Sequence, residues 1–314
     1  MRPLTAVGCV VAWALANAGP AGAQPPALIG VRLGGYIQAR ETFAEPTGLS
    51  ATLNRARLSA DGSLPNHVTY RMLVELEAGA TARAPGTVSL REAIIRWTSA
   101  PYALQLGQFK APFSREYLIP VPALETADFS AVVDSLAPKY EIGAMAEYAL
   151  PSFGVWAGVF NGEGQNAGFN RDSTVLVVTR CSVRPLPQVT VPANVARGGP
   201  DSTRYGADLS LEQSGFLWRG EIIGQRKRGR SRDDFGWYLL GACRILPWLQ
   251  LLARQEDFQR PAIGVTRRAS AVIAGANVEL PGGRTRLLVN FVSRNTGYPR
   301  LKRNSLITQQ QVRF

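Results

Sequence analysis

Histidine and cysteine are scarce in this chain of 314 residues, which has one His, three Cys and neither a CxxC nor an HExxH motif. Most zinc-based and histidine-based catalysis is therefore excluded, and no metal or cofactor is expected. Charged residues reach only 18%, below the roughly 25% of ordinary soluble domains. Beyond the N-terminus, no apolar run approaches the roughly 20 residues of a membrane helix. The sequence thus argues against a helical membrane protein and gives no sign of an enzyme.

The N-terminus has the form of an export signal. Arg2 precedes an apolar stretch from Leu4 to Ala16, and Ala21-Gly22-Ala23 has the small-x-small pattern of a cleavage site. We predict a signal peptide over residues 1–23 and one mature domain over 24–314. Cys181 and Cys243 fall on predicted strands that are not neighbours, so no disulfide is expected between them.

Alternation of apolar and polar residues is the main structural signal. Six apolar residues of one eleven-residue run share a parity, and they are Val68, Tyr70, Met72, Val74, Leu76 and Ala78. The other parity includes Thr69, Arg71 and Glu75. A period of two predicts a strand with one apolar and one polar face.

The same pattern predicts sixteen strands, and an even number is typical of bacterial membrane barrels. Pro192 interrupts the ninth, where a ladder donor is lost. The predicted strands are 31–42, 52–64, 67–78, 87–98, 102–110, 141–150, 153–161, 173–184, 188–196, 203–213, 216–228, 234–246, 249–258, 267–280, 284–294 and 305–314.

The predicted connections alternate between short and long, as in outer-membrane barrels with short periplasmic turns and long outer loops. The short ones are 65–66, 99–101, 151–152, 214–215, 247–248 and 281–283. The long ones include 43–51, 111–140, 162–172 and 295–304. A soluble β-sandwich would need far fewer strands. The sequence therefore favours an all-β, transmembrane antiparallel barrel in the outer membrane, with both termini periplasmic.

Several segments resemble the phosphate-selective porin O and P family. They are Leu106 to Ser114 (LGQFKAPFS), Asn54 to Leu58 (NRARL), Arg91 to Trp97 (REAIIRW), Gly158 to Gly164 (GVFNGEG) and the paired segments 272–280 and 285–292. The terminal Phe314 resembles the C-terminal signature of outer-membrane barrels. The resemblance implies a homotrimeric channel for small anions such as phosphate, with the third outer loop, 111–140, folded inward to narrow the pore. That loop holds four acidic and two basic residues, whereas an anion filter should be basic.

Basic residues suggest how the pore would act. Of the 35, four are Lys and the rest are Arg, a bias that genome composition alone could also produce. Arginine on the lipid side near the midplane costs about 2–4 kcal/mol, so alternation directs it inward, where guanidinium binds anionic oxygens. The predicted anion-contacting residues are Arg55, Arg57, Arg71, Arg96, Lys110, Arg180, Arg204, Arg219 and Arg254. Carboxylates on the same face could pair with them, and they are Asp61, Glu75, Glu77, Glu92, Asp208, Glu221 and Glu256.

Two further features have alternative interpretations. The basic run 225–232 could contact lipopolysaccharide phosphates or only water, since an exported barrel meets no nucleic acid. Aromatic residues near strand ends are expected to form an interfacial girdle or to fill the lumen. They are Trp97, Tyr148, Trp218, Trp237, Tyr238 and Trp248.

The expected function is passive diffusion of small anions. A nonselective diffusion pore and a structural or adhesive barrel remain alternatives. An enzyme is disfavoured because the only histidine, His67, lies at a turn with no evident catalytic partner.

Overall fold

The computed structural model describes residues 29–76, 86–199, 202–262, 265–297 and 301–314, so the predicted signal peptide lies outside it. Sixteen strands dominate the described residues. They are β1 (Ile29–Ala44), β2 (Gly48–Leu64), β3 (Val68–Leu76), β4 (Val88–Ser99), β5 (Tyr102–Lys110), β6 (Tyr140–Ala149), β7 (Phe153–Phe160), β8 (Leu176–Leu186), β9 (Val189–Gly198), β10 (Ser202–Gln213), β11 (Phe216–Lys227), β12 (Asp234–Leu246), β13 (Leu249–Ala262), β14 (Val265–Glu279), β15 (Thr285–Gly297) and β16 (Leu301–Arg313).

The strands form one closed barrel in which each strand pairs antiparallel with its sequence neighbours. β1 closes the barrel on β16, with a register that runs from Tyr36 opposite Arg313 to Ala44 opposite Ser305. The predicted sixteen-stranded antiparallel barrel is therefore confirmed. Closure leaves no unpaired strand edge.

The two faces of the barrel differ as the alternation predicts. Large apolar side chains such as Leu33, Met72 and Leu239 are exposed on the outer face. Polar side chains such as Gln38, Asn290 and Gln311 are buried on the inner face. An apolar outside and a polar inside suit a barrel surrounded by lipid.

Several predicted details differ from the structure. The connections predicted at 43–51 and 295–304 shrink to 45–47 and 298–300, because the flanking strands run further. β9 continues through Pro192, but its pairing with β10 passes from Ala193 to Thr190, as expected where a ladder donor is missing. Of the two predicted roles for the aromatic residues, Tyr238 has the second, because it is buried on the inner face.

The connection from β5 to β6, residues 111–139, has structure of its own. It contains α1 (Arg115–Leu118), a 3₁₀ turn at Val121–Ala123 and α2 (Ala131–Leu136). Ser114 and Ser130 cap the two helices by accepting backbone hydrogen bonds from Tyr117 and Val133. None of the helices among the described residues is long and apolar enough to cross a membrane.

A glycine lies just before this connection. Gly107, within the segment 106–114, has φ +113°, a conformation that side chains rarely adopt. A side chain there would collide with the carbonyl of Ala93 on β4. The glycine therefore lets β5 approach β4 closely at the start of the connection.

Candidate functional site

Arg254 of β13 makes a deeply buried contact with the connection 111–139. Its guanidinium donates to Glu116 Oε1 at 3.0 Å, to Thr126 Oγ1 at 2.6 Å and to the Asp128 carbonyl at 3.0 Å. The side chains of Arg254 and Glu116 are only 1% and 5% exposed. Burial raises the pKa of the Glu116 carboxyl, an effect that Arg254 opposes. The pair therefore fixes the middle of the connection to the barrel wall.

Two strands hold the start of the connection. Arg180 of β8 donates to the Phe113 carbonyl at 2.5 Å and forms an ion pair with Asp208 at 2.9 Å. Ser114 Oγ donates to Glu221 of β11 at 3.0 Å. Unpaired buried polar groups are costly, so these contacts oppose displacement of the segment.

Four other strands hold the second part. Arg286 of β15 donates to the Leu124 carbonyl at 2.8 Å, and Asn277 of β14 donates to the Glu125 carbonyl at 2.9 Å. Gln311 of β16 donates to the Pro122 carbonyl at 3.0 Å. Arg40 of β1 donates to the Asp128 carboxylate at 2.9 Å. The contacts of the connection thus extend from β8 round to β1.

The acidic residues of the connection are all paired with basic groups. Glu116 pairs with Arg254, and Asp128 pairs with Arg40. The partners of Glu125 and Asp134 are Arg219 of β11 and Lys139. The acidic balance read from the sequence is therefore compensated.

Strands β2 to β7 border open space instead. Two cavities of about 340 and 370 Å³ lie between them and the connection, and both are lined by Glu92, Lys110 and Leu118. Lys110 donates to the carbonyls of Tyr117 at 2.6 Å and Ile119 at 2.9 Å. Its ammonium also lies 5.2 Å from the centre of the Tyr117 ring. Lys110 thus marks the point where the two cavities meet.

The arginines beside these cavities are paired with carboxylates. Arg57 pairs with Glu75 at 3.0 Å, and Arg91 shares that carboxylate. The other ion pairs are Arg71 with Asp61 at 2.6 Å, Arg71 with Glu92 at 2.7 Å and Arg96 with Glu147 at 2.6 Å. Among the described residues, Lys110 has no carboxylate within 4 Å. It is the basic residue shared by both cavities, and it has no ion-pair partner among them.

A larger cavity of about 830 Å³ opens at the end of the barrel that carries the long connections. Arg204 and Glu141 line it, and the described residues offer the Arg204 guanidinium neither a hydrogen bond nor an ion pair. Tyr140 lines both this cavity and the 340 Å³ cavity. The three spaces therefore form a series along the inner wall.

The structure places the nine predicted residues on the inner face, in groups with different contacts. Arg57, Arg71, Arg96 and Lys110 line the two smaller cavities, while Arg55 donates a hydrogen bond to Gln38 at 3.3 Å. Arg204 lies in the large cavity. The remaining three, Arg180, Arg219 and Arg254, contact the connection.

Sequence reasoning missed four basic residues of the lumen, which are Arg40, Arg91, Arg286 and Arg313. Strand parity would have found Arg40 and Arg286, since each shares a parity with a buried polar residue of its own strand. Their strands also hold small or apolar residues on both faces, which weakens the alternation.

The barrel is similar to several outer-membrane proteins of known structure. The trimer form of in-vitro folded OmpT of Vibrio cholerae has a TM-score of 0.68 at 12% identity, over 91% of this chain and 99% of that one. The outer membrane channel DcaP of Acinetobacter baumannii gives 0.68 at 14%, over 94% and 100%. The anion-selective porin from Comamonas acidovorans gives 0.66 at 12%, over 91% and 99%. The fold is that of an outer-membrane porin.

A family model matches nearly half of the chain. Residues 35–185, from β1 into β8, match the model of the phosphate-selective porin O and P family. The predicted resemblance is confirmed, and both GQFKAPF and GVFNG lie within the matched range. No curated protein gives a significant match. Family and fold together place the protein among outer-membrane channels and favour a channel over an enzyme.

Proposed function

We propose that the protein is a passive channel for small anions, including phosphate, in which solutes pass between the connection 111–139 and strands β2 to β7. In this proposal the connection lies across the lumen as its constriction. The observation that carries it is the pair of cavities that meet at Lys110, an ammonium with no carboxylate partner among the described residues. The larger cavity adjoins this pair at Tyr140.

Charge along the passage supports anions over cations. The two smaller cavities are lined by six basic residues, Arg57, Arg71, Arg96, Lys110, Arg180 and Arg313. Only two acidic residues, Glu92 and Glu147, line them. A charge in a narrow passage acts through a lower effective dielectric constant than one at an open mouth. The excess of cations there should therefore govern selectivity.

Reversal potentials in a KCl gradient across planar bilayers test this proposal. The wild-type channel should prefer chloride over potassium, and phosphate should reduce the chloride current. Lys110→Glu should lower the anion preference strongly. Lys302→Glu is the matched control, because Lys302 is exposed at the start of β16 and its field is screened within about 8 Å at physiological salt.

Two results would contradict the proposal. Preference for potassium in the wild type would refute an anion channel. Equal shifts from both substitutions, both lost in high salt, would mean that no constriction site exists at Lys110. A channel without preference would instead fit the ion pairs of Arg57, Arg71 and Arg96, which favour the nonselective alternative.

The proposal also covers the export, orientation and oligomeric state of the channel. The signal peptide 1–23 would direct export, the long connections would face outside, and the basic run 225–232 would lie near lipopolysaccharide phosphates. A homotrimer is supported by the trimer form of the similar OmpT. Native mass spectrometry of the detergent-extracted protein should give three copies.

A further inference from the structure

The lining of the two cavities beside Lys110 combines charged and apolar side chains. On the strand side they carry the charged groups of Arg57, Arg71 and Arg96. The rest of their lining includes the acidic Glu92 and Glu147 and is otherwise largely apolar, with Leu118, Pro120 and Val121 from the connection and Leu73, Ile94, Phe109, Met145 and Trp156 from the strands. A solute passing Lys110 therefore meets cations and an apolar surface at once.

Inorganic anions can interact favourably with the cations of this lining but not with its apolar side chains. Chloride and phosphate interact with the cations, but they are strongly hydrated and gain nothing from Leu118 or Trp156. An anion with an apolar body removes apolar surface from water on both partners, which is favourable. The cavity volumes of about 340 and 370 Å³ lie within the range of about 300–1,000 Å³ typical of small-molecule sites.

Lys110 is the natural contact for the charged end of such a solute. An ammonium has three N–H donors, and two of those of Lys110 are used by the Tyr117 and Ile119 carbonyls. One donor remains for a carboxylate. The neighbouring arginines are already paired with Glu75, Asp61, Glu92 and Glu147, so their charge is largely compensated and Lys110 provides the contact.

We propose that the passage favours organic monoanions with a flat apolar body, such as aryl carboxylates, over anions without one. The carboxylate would contact Lys110 while the ring lies against Leu118 and the apolar strand residues. This inference rests on the proposed anion channel and specifies its substrate class.

Benzoate and acetate form a matched pair of probes, because they share the carboxylate and differ in the ring. With the full mature protein in planar bilayers, benzoate should reduce the chloride current at a concentration about tenfold lower than acetate does. Its permeability should also exceed that of acetate, although benzoate is the larger ion and a simple sieve would slow it.

Substitutions test the apolar lining and the charge of Lys110 separately. Leu118→Ser should reduce the benzoate-to-acetate ratio severalfold. Met145→Gln, which keeps the side-chain volume at a second lining position, should act in the same direction if Leu118→Ser inserts poorly. Lys110→Gln should weaken the effects of both carboxylates equally. Leu150→Ser, in the turn after β6 and away from the cavities, should change none of these values.

The outcomes distinguish the two proposals. If chloride is preferred over potassium but benzoate acts no more strongly than acetate, the substrate class is refuted and the anion channel stands. If benzoate is favoured but neither Leu118→Ser nor Met145→Gln changes its ratio to acetate, the proposed role of the apolar lining is refuted. Preference for potassium would refute the channel proposal itself.

Discussion

Arg204 differs from the other predicted anion-contacting residues because the described residues leave its guanidinium without a partner. It lines the 830 Å³ cavity, with Glu141 as a carboxylate nearby. An uncompensated charge at a mouth attracts counter-ions and raises their local concentration. Arg204 is thus suited to capturing anions before they reach Lys110.

Substitution of Arg204 should therefore act mainly at low salt. Arg204→Gln should lower the chloride conductance in about 0.01 M salt, where screening extends over about 30 Å, and leave it unchanged in about 1 M salt. Single-channel recordings over this salt range provide the measurement. Arg197→Gln is the control, because Arg197 is exposed on the outer face of the adjacent β9. Equal losses in both variants would argue against a capture site.

Strand parity predicted that these arginines face inward, because the two faces of a strand alternate strictly. It did not predict which of them would be paired. Arg254 and Glu116 lie 138 positions apart, and their contact depends on the path of a segment without periodic structure. No pattern local to β13 distinguishes Arg254, which is fixed, from Arg204, which is not.

Among the structural elements, the connection 111–139 is held in position by buried ion pairs. Removing one partner of such a pair costs about 3–5 kcal/mol, because the other charge stays buried and uncompensated. Arg254→Met should therefore loosen the connection. The expected result is a higher single-channel conductance with more open-channel noise, recorded in planar bilayers.

An exposed pair on the same connection supplies the control. The side chains of Lys139 and Asp134 are 50% and 64% exposed, so their pair should contribute about 1 kcal/mol or less. Lys139→Met should leave conductance and noise close to wild type. Unchanged recordings for Arg254→Met would mean that Arg254 does not hold the connection in place.

The strands were predictable and the short helices were not. Period-two alternation identified all sixteen strands, with the largest boundary errors at β2, β13 and β16, which extend past the lipid-facing pattern. α1 and α2 have only four and six residues, too few for a helical period to show in the sequence. Ser114 and Ser130, as N-caps, were their available local signals.

At the scale of the whole molecule, sidedness can be tested by labelling. Arg171, exposed between β7 and β8, and Leu150, after β6, lie at opposite ends of the barrel. Single cysteines at these positions, with Cys181 and Cys243 replaced by Ser, should react differently with a membrane-impermeant maleimide. Arg171→Cys should react on intact cells, and Leu150→Cys only after permeabilisation. The reverse pattern would invert the proposed topology.

At the end of the barrel that carries the long connections, half of the connections are short, and their length affects how antibodies can bind there. Four of the eight connections there, 45–47, 199–201, 263–264 and 298–300, contain only two or three residues. An antibody covers about 800 Å² of its target, which connections of two or three residues cannot supply alone. Antibodies raised against whole cells should therefore bind mainly to 77–87, 161–175 and 228–233. The four short connections at this end should bind few antibodies.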